Sequence, residues 1–135
     1  MSDCAVKAVA HAKVNLHLGV GDAREDGYHE LVSVFQALDI HDVVELTTRG
    51  SVRPGEPVVL AMDVSGAYAQ GVPANEQNLA WRAVEMVARG FRDRGVGELS
   101  GIHIGLRKGI PAAGGMAGGS ADAAAALRAA NKVFA

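Results

Sequence analysis

The chain has 135 residues, of which 49% are hydrophobic and 21% are charged, so it is long enough to enclose a core within one domain. A formal net charge of −2 excludes a global positive field for a nucleic-acid backbone, and no apolar run approaches the ~18 residues of a membrane span. The one cysteine, Cys4, excludes an internal disulfide, and the N-terminus without a secretory signal predicts a cytoplasmic protein.

The first half of the chain predicts strands. Residues 5–20 alternate with a period of two, which predicts a strand with a buried face that carries Val14, Leu16, Leu18 and Val20. Lys13 and Asn15 share the opposite, polar face. A polar, glycine-bounded loop follows, and three further strands are predicted over 28–38, within 39–48 and over 57–64.

The second half predicts a helix, a strand and a helix. Apolar residues recur at helical spacing from Asn78, and the glycines at 90, 95 and 97 end that helix. Alternation over 99–106 predicts a fifth strand, and the alanine-rich segment after Asp122 predicts a last helix that ends at Ala135. This order of elements predicts an α+β fold in one domain.

Glycine is concentrated between the fifth strand and the last helix. Glycine makes up 17 of the 135 residues, which is more than the average usage of about 7%. Two pairs of glycines lie at 114–115 and 118–119. A strand, a glycine loop and a helix in this order expose backbone amides and the positive end of a helix dipole, which favour a phosphate. Ser120 is placed to cap the helix or to bind a phosphate or a phosphate-bound Mg²⁺. The residues alone leave a flexible connection open as the alternative.

The segment from Pro111 to Asp122 resembles the phosphate-binding motif of the GHMP kinases, the superfamily of galactokinase, homoserine kinase and mevalonate kinase. Further segments narrow the resemblance to the kinases within this superfamily that phosphorylate the 2-hydroxyl of 4-diphosphocytidyl-2-C-methyl-D-erythritol in isoprenoid biosynthesis. These segments are 12–16, 24–31 with 35–36, 75–80 and 108–111. The resemblance implies the α+β two-layer sandwich called ribosomal protein S5 domain 2-like, with this chain as the N-terminal, ATP-binding domain.

The resemblance also implies roles for single residues. Lys13 would be catalytic, beside the transferred phosphoryl group, and Asn15, Tyr28, His29 and Phe35 would bind the substrate, with Tyr28 stacked on the cytosine. ATP with Mg²⁺ would be bound by Asn78, Lys108, Pro111, Ala112, Ala113, Gly114, Gly115, Met116, Ala117, Gly118, Gly119, Ser120 and Ala121.

Each of these roles has a simpler alternative. From the residues alone, Lys13 fits a solvated strand edge and Phe35 fits the core, while Asn78 fits a helix N-cap and Lys108 an exposed strand end. Neighbouring strand residues point to opposite faces, so Tyr28 and His29 share a ligand only if the second strand begins irregularly.

The catalytic aspartate of the family follows the helix that ends here at Ala135, and Asp122 does not replace it, because it is a helix residue within the nucleotide motif. We therefore expect the N-terminal portion of a kinase, incomplete at its C-terminus, without the C-terminal ferredoxin-like domain and inactive alone. The last helix would expose apolar surface and favour self-association. Two alternatives are another GHMP kinase of small-molecule alcohols and a non-catalytic nucleotide-binding or assembly module.

Overall fold

A computed structural model describes residues 3–112 and 114–135. In it, the segments with alternating apolar residues form one sheet, and the segments with helical periodicity form two helices that cover it. The elements are β1 (Ala5–Ala23), β2 (His29–Val52), β3 (Val59–Ser65), α1 (Leu79–Asp93), β4 (Leu99–Arg107) and α2 (Gly118–Phe134). The strand order is β1-β2-β4-β3, and only the pair β3 and β4 is parallel. Because α2 packs on β1 and β2, and α1 on β3 and α2, the predicted α+β architecture is confirmed.

One continuous strand, β2, replaces the two strands predicted over 28–38 and within 39–48, so the predicted break is wrong. Antiparallel pairing with β1 continues along β2, from Ala23 opposite His29 to Ala5 opposite Thr47. The polar residues around Asp39 are accommodated by a bulge in β2. The register shifts there, because between the partners of His11 and Lys13 the strand β2 contains extra residues. A bulge thus takes the place of a loop.

The ends of β1 and β2 form a two-stranded hairpin. Because β4 pairs with β2 only from Val43 onward, this part of the ribbon has no third strand beside it. The predicted buried face is therefore wrong for Leu16, Leu18 and Val20, which are 64%, 53% and 62% exposed. The exposed apolar surface was predicted on the last helix, but most of the exposed large apolar side chains lie on the hairpin. The helix α2 contributes Leu127 to this surface.

The core lies between the helices and the sheet. The sheet contributes Val44 and Leu46 from β2 and Ile102, Ile104 and Leu106 from β4, all fully or almost fully buried. The buried side of α2 consists of small side chains, which let the helix lie close to the sheet. These contacts place the N-terminus of α2, and the glycine loop before it, beside β1 and β2.

Candidate functional site

The glycine loop joins β4 to α2 and leaves the start of the helix uncapped. Gly115 and Ala117 have φ angles of 66° and 55°, in the left-handed region. Ala117 is the cap residue and offers no side-chain acceptor, and the first turn contains no acidic residue. The first amides of α2 are therefore suited to an anion. Ala113 lies outside the described residues.

Ser120 does not cap the helix, because α2 begins before it, at Gly118. The predicted cap is therefore wrong. Its side chain is exposed on the first turn, where a contact with a phosphate or with a phosphate-bound Mg²⁺ stays a prediction. Among the residues that the structure describes, no three His, Cys, Asp or Glu side chains are grouped to hold a metal ion.

Lys13 joins β1 to the glycine loop. Its backbone amide donates to the carbonyl oxygen of Met116 at 3.3 Å, and its ammonium Nζ lies 3.4 Å from the carbonyl oxygen of Gly115. Nζ also donates to Asn15 Oδ1 at 2.7 Å and lies 5.5 Å from the centroid of the Phe35 ring, which is 60% exposed. The structure thus brings together Lys13, Asn15, Phe35 and the loop. The core is wrong for Phe35, whereas Lys13 lies half-buried on the edge strand β1, so that its catalytic role stays a prediction.

Tyr28 and His29 lie at the end of the hairpin, away from Lys13. Tyr28 precedes β2 and is 71% exposed, while the His29 imidazole Nδ1 lies 2.8 Å from the carbonyl oxygen of Gly21. The register irregularity here places its extra residue on β1, and Tyr28 lies before the first residue of β2, so that a ligand shared by Tyr28 and His29 stays a prediction. Eight residues separate His29 from Ala37, the partner of Lys13, a distance of about 25 Å when extended. Only an elongated ligand reaches from these two residues to Lys13.

Asn78 is the N-cap of α1, which confirms the structural role predicted for it as the alternative to nucleotide binding. Its side-chain oxygen accepts from the amide of Ala80 at 2.9 Å, and its side-chain nitrogen donates to the carbonyl oxygen of Pro73 at 2.8 Å. The same residue lines a cleft of about 290 Å³ between the start of α1 and the start of α2. This cleft is also lined by Pro73, Lys108, Ala112, Gly118, Gly119 and Asp122. A contact of Asn78 with adenine stays a prediction.

Lys108 is 5% exposed, so the alternative of a solvent-exposed lysine is wrong. Its Nζ donates to Asp42 Oδ2 at 2.5 Å and to Asp122 Oδ2 at 2.8 Å. The other oxygen of Asp42 accepts from the amides of Gly109 and Ile110 at 2.7 and 2.9 Å. A buried chain of carboxylate, ammonium and carboxylate thus links β2, β4 and α2.

The two carboxylates of this chain titrate differently. Burial and the neighbouring Asp42 carboxyl raise the pKa of Asp122 to about 7, against the opposing effect of Lys108. Burial of Asp42 also favours its neutral form, but hydrogen bonds from Asp122, Lys108 and two amides outweigh it and lower the pKa of Asp42. The same carboxylates outweigh the burial of Lys108 and raise its pKa. Lys108 and Asp42 are therefore charged at neutral pH.

A role for Asp42 and the burial of Asp122 were not predicted from the sequence, although a periodic signal was present for both residues. Asp42 has the same parity in its strand as the buried Val44 and Leu46. Asp122 precedes the buried alanines at 125, 126, 129 and 130 at helical spacing. Polar residues at core positions of two elements indicate a buried partner between them.

Comparison with known proteins shows which family and which enzymes this chain is similar to. The family model described as the N-terminal domain of GHMP kinases matches residues 78–135, which contain the glycine loop and most of the residues that line the cleft. The chain is 51% identical over 132 residues to a 4-diphosphocytidyl-2-C-methyl-D-erythritol kinase of Corynebacterium diphtheriae, covering 96% of this chain and 42% of the relative. A protein of the same name from Saccharopolyspora erythraea is 53% identical, covering 91% of this chain and 36% of the relative.

Solved structures show the same likeness. A crystal structure of 4-(cytidine 5'-diphospho)-2C-methyl-D-erythritol kinase aligns with a TM-score of 0.65 at 32% identity, over 96% of this chain and 41% of that one. Mevalonate pyrophosphate decarboxylase from Streptococcus pyogenes, at 12% identity, has a TM-score of 0.63 over 99% of this chain and 39% of that one, and shows the fold alone.

The chain spans about 40% of the length of these relatives. Its resemblance to the N-terminal portion of such kinases, within the GHMP kinases, is confirmed, and so is the two-layer α+β fold that the resemblance implied. Within the described part of the chain, neither helix has the length and apolar character needed to cross a bilayer.

Proposed function

We propose that this chain forms the nucleotide-binding part of a bacterial cytoplasmic kinase that transfers a phosphoryl group from ATP to the 2-hydroxyl of 4-diphosphocytidyl-2-C-methyl-D-erythritol. The observation that carries the proposal is the junction of Lys13 with the glycine loop at the uncapped start of α2. The names of the relatives support the choice of substrate.

Phosphoryl transfer depends on the position and neutralisation of charge rather than on covalent chemistry by the protein. In this proposal the first amides of α2 bind the phosphates of ATP, and the dipole of the helix favours their negative charge. The ammonium of Lys13, beside the loop carbonyl of Gly115, adds positive charge where the transferred group becomes most negative. Magnesium would be held by the phosphates and the Ser120 hydroxyl and would supply further neutralisation there.

The proton of the substrate hydroxyl needs another acceptor than Asp122. That side chain is 2% exposed, and one of its oxygens is bonded to Lys108, so it does not face a ligand in the hairpin. As the resemblance implies, we assign the acceptor to an aspartate that follows residue 135 in such kinases. The hairpin would then bind the cytidine end of the substrate through Tyr28 and His29.

Calorimetric titration with a non-hydrolysable ATP analogue tests the nucleotide site. Gly119→Val is the informative variant, because a Cβ at Gly119 meets only Leu79 Cδ1, at 3.8 Å, and the added side chain enters the cleft. We expect the parent to bind and the variant to lose at least tenfold in affinity. Gly97→Val is the control, because a Cβ there meets nothing within 4 Å. A parent that does not bind the analogue would contradict the proposal.

Titration with cytidine diphosphate tests the substrate class. Binding that survives in Gly119→Val supports a separate cytidine site on the hairpin. A chain that binds the ATP analogue at the cleft but not cytidine diphosphate would instead support a different GHMP alcohol kinase. A chain that binds neither ligand would support an assembly module of the same fold.

A further inference from the structure

Both ends of the glycine loop are held by the same buried chain of charges. The loop leaves β4 at Lys108 and enters α2 at Gly118. Asp42, from the middle of β2, holds the first of these ends, and Asp122, from the start of α2, holds the second. Lys108 lies between the two carboxylates and belongs to the loop itself.

At the entry, Asp42 is fully buried and both of its oxygens are used. Oδ1 accepts from the successive amides of Gly109 and Ile110, while Oδ2 accepts from Lys108 Nζ. The loop backbone runs so close to β2 here that a Cβ on Gly109 would collide with the carbonyl oxygen of His41. The path of the chain into the loop is thus set by one carboxylate.

At the exit, the ammonium of Lys108 lies under the first turn of α2. An added Cβ on Gly118 would lie 3.3 Å from Lys108 Nζ, and Nζ donates to Asp122 one turn further along the helix. A buried cation near a helix N-terminus is opposed by desolvation and by the helix dipole. The charge of Asp42 and the acceptor oxygen of Asp122 offset this cost, so the contact locates the helix end only while both side chains are present.

The backbone of Lys108 is also fixed from the other side. Its amide donates to the carbonyl oxygen of Ser65 at 2.8 Å, and its carbonyl oxygen accepts from the amide of Tyr68 at 3.4 Å. A Cβ on Gly66 would collide with the backbone of Lys108. Lys108 is therefore a fixed point from which its side chain reaches both carboxylates.

We propose that Asp42 and Asp122 are positioning residues that, through Lys108, hold the two ends of the glycine loop at the distance from Lys13 that nucleotide binding requires. The inference rests on the proposed nucleotide site, and it assigns the ammonium of Lys108 to the loop rather than to the nucleotide. It deepens that function by naming what keeps the loop in place before a ligand arrives.

Amide hydrogen exchange of the ligand-free chain tests the positioning directly. The amide of Lys13 is the reporter, because it lies on β1 yet donates to the loop carbonyl of Met116. In Asp42→Asn and in Asp122→Asn we expect its exchange rate to rise at least tenfold, with the amide of Ile104 in β4 unchanged. Asp39→Asn is the matched control, since Asp39 is an exposed aspartate on the same strand as Asp42.

Two results would overturn the proposal: an unchanged exchange rate of Lys13 in both variants, or an equal rise at all amides, which indicates a contribution to stability alone. If Asp42→Asn does not fold, Asp122→Asn decides, because it removes the exit contact and leaves the entry intact. Affinity for the ATP analogue should also fall about tenfold in both variants and stay constant in Asp39→Asn. A parent that binds no nucleotide would refute the proposed function, while the exchange rates still decide on the positioning.

Discussion

The backbone amide of Lys13 donates to the carbonyl oxygen of Met116 across 103 residues of chain separation, at 3.3 Å. This hydrogen bond joins the first strand to the glycine loop next to the register irregularity of β1. Because β1 is an edge strand of the sheet, the backbone groups on its outer side have no strand partner and are free to bond elsewhere. The loop takes up that bond and so comes to lie beside the ammonium of Lys13.

Lys13→Met is expected to weaken binding of the ATP analogue by about tenfold to a hundredfold, because a hydrogen bond to a charged group contributes about 1.5–3 kcal/mol. Titration calorimetry measures the change. Lys7→Met is the control, since Lys7 is an exposed lysine on the same strand whose ammonium pairs with Glu45. Equal affinities in parent and Lys13→Met would show that Lys13 does not contact the phosphates.

Tyr28→Ala is expected to lower the affinity for cytidine diphosphate by about fivefold or more, because stacking of a base on an aromatic ring contributes about 1–3 kcal/mol. Fluorescence or calorimetric titration gives the affinity. Tyr68→Ala, which removes a tyrosine outside the hairpin, should leave it unchanged. The stacking role is refuted if both variants bind like the parent.

Asn78→Ala is expected to lower the free energy of unfolding by about 1 kcal/mol, because it removes the N-cap of α1. Urea denaturation measures the loss, with Asn131→Ala on the exposed side of α2 as control. Asn78→Asp keeps the cap acceptor but not the donor to Pro73, and should recover part of the stability. Equal stability of Asn78→Ala and the parent would contradict the role of the cap.

The free energy of unfolding should decrease as the pH rises from about 5 to 7. Because the folded-state pKa of Asp122 is raised to about 7, the folded chain holds a proton there that the unfolded chain, with an aspartate pKa of about 4, has lost. The stabilisation is thus complete below about pH 4 and lost as the pH passes the folded value, with a slope of at most about 1.4 kcal/mol per pH unit. Below pH 4 the lowered pKa of Asp42 acts in the opposite direction.

Urea denaturation at pH 5, 6 and 7 measures this slope. Asp122→Asn removes the titrating group and should flatten the profile, whereas Asp39→Asn should retain it. A slope that persists in Asp122→Asn would assign the proton to another group.

The hairpin is expected to make the isolated chain self-associate. A two-stranded ribbon with exposed apolar side chains is marginal alone in water and tends to pair with another surface. Sedimentation velocity should show association that increases with concentration and is reduced by Leu18→Lys, whose side chain replaces a half-exposed leucine of the hairpin. Met86→Lys, on the exposed side of α1, should have no effect. A monomer at all concentrations would contradict this expectation.

Local patterns in the sequence predicted most elements correctly. The helix from Asn78 and the strand over 99–106 exist close to their predicted limits, because helical or strand periodicity is visible within a few residues. The last helix also exists, but it begins at Gly118 rather than after Asp122. The break within β2 was wrong because polar residues in a strand are compatible with a bulge when a neighbouring strand supplies hydrogen bonds. The predicted burial of the apolar face of the hairpin was wrong, because alternation of apolar and polar residues does not show whether another element covers that face.

The sequence by itself determined the glycine loop, its place before a helix, the candidate Lys13 and the likeness to a family, since these depend on residue order and local period. Only the tertiary structure decided that Lys108 is buried between Asp42 and Asp122, which are 66 and 14 residues away in the chain. Pairing of β2 with β4 and packing of α2 on the sheet bring these residues together. A buried ammonium needs carboxylates from other elements, and their choice is made by how those elements pack.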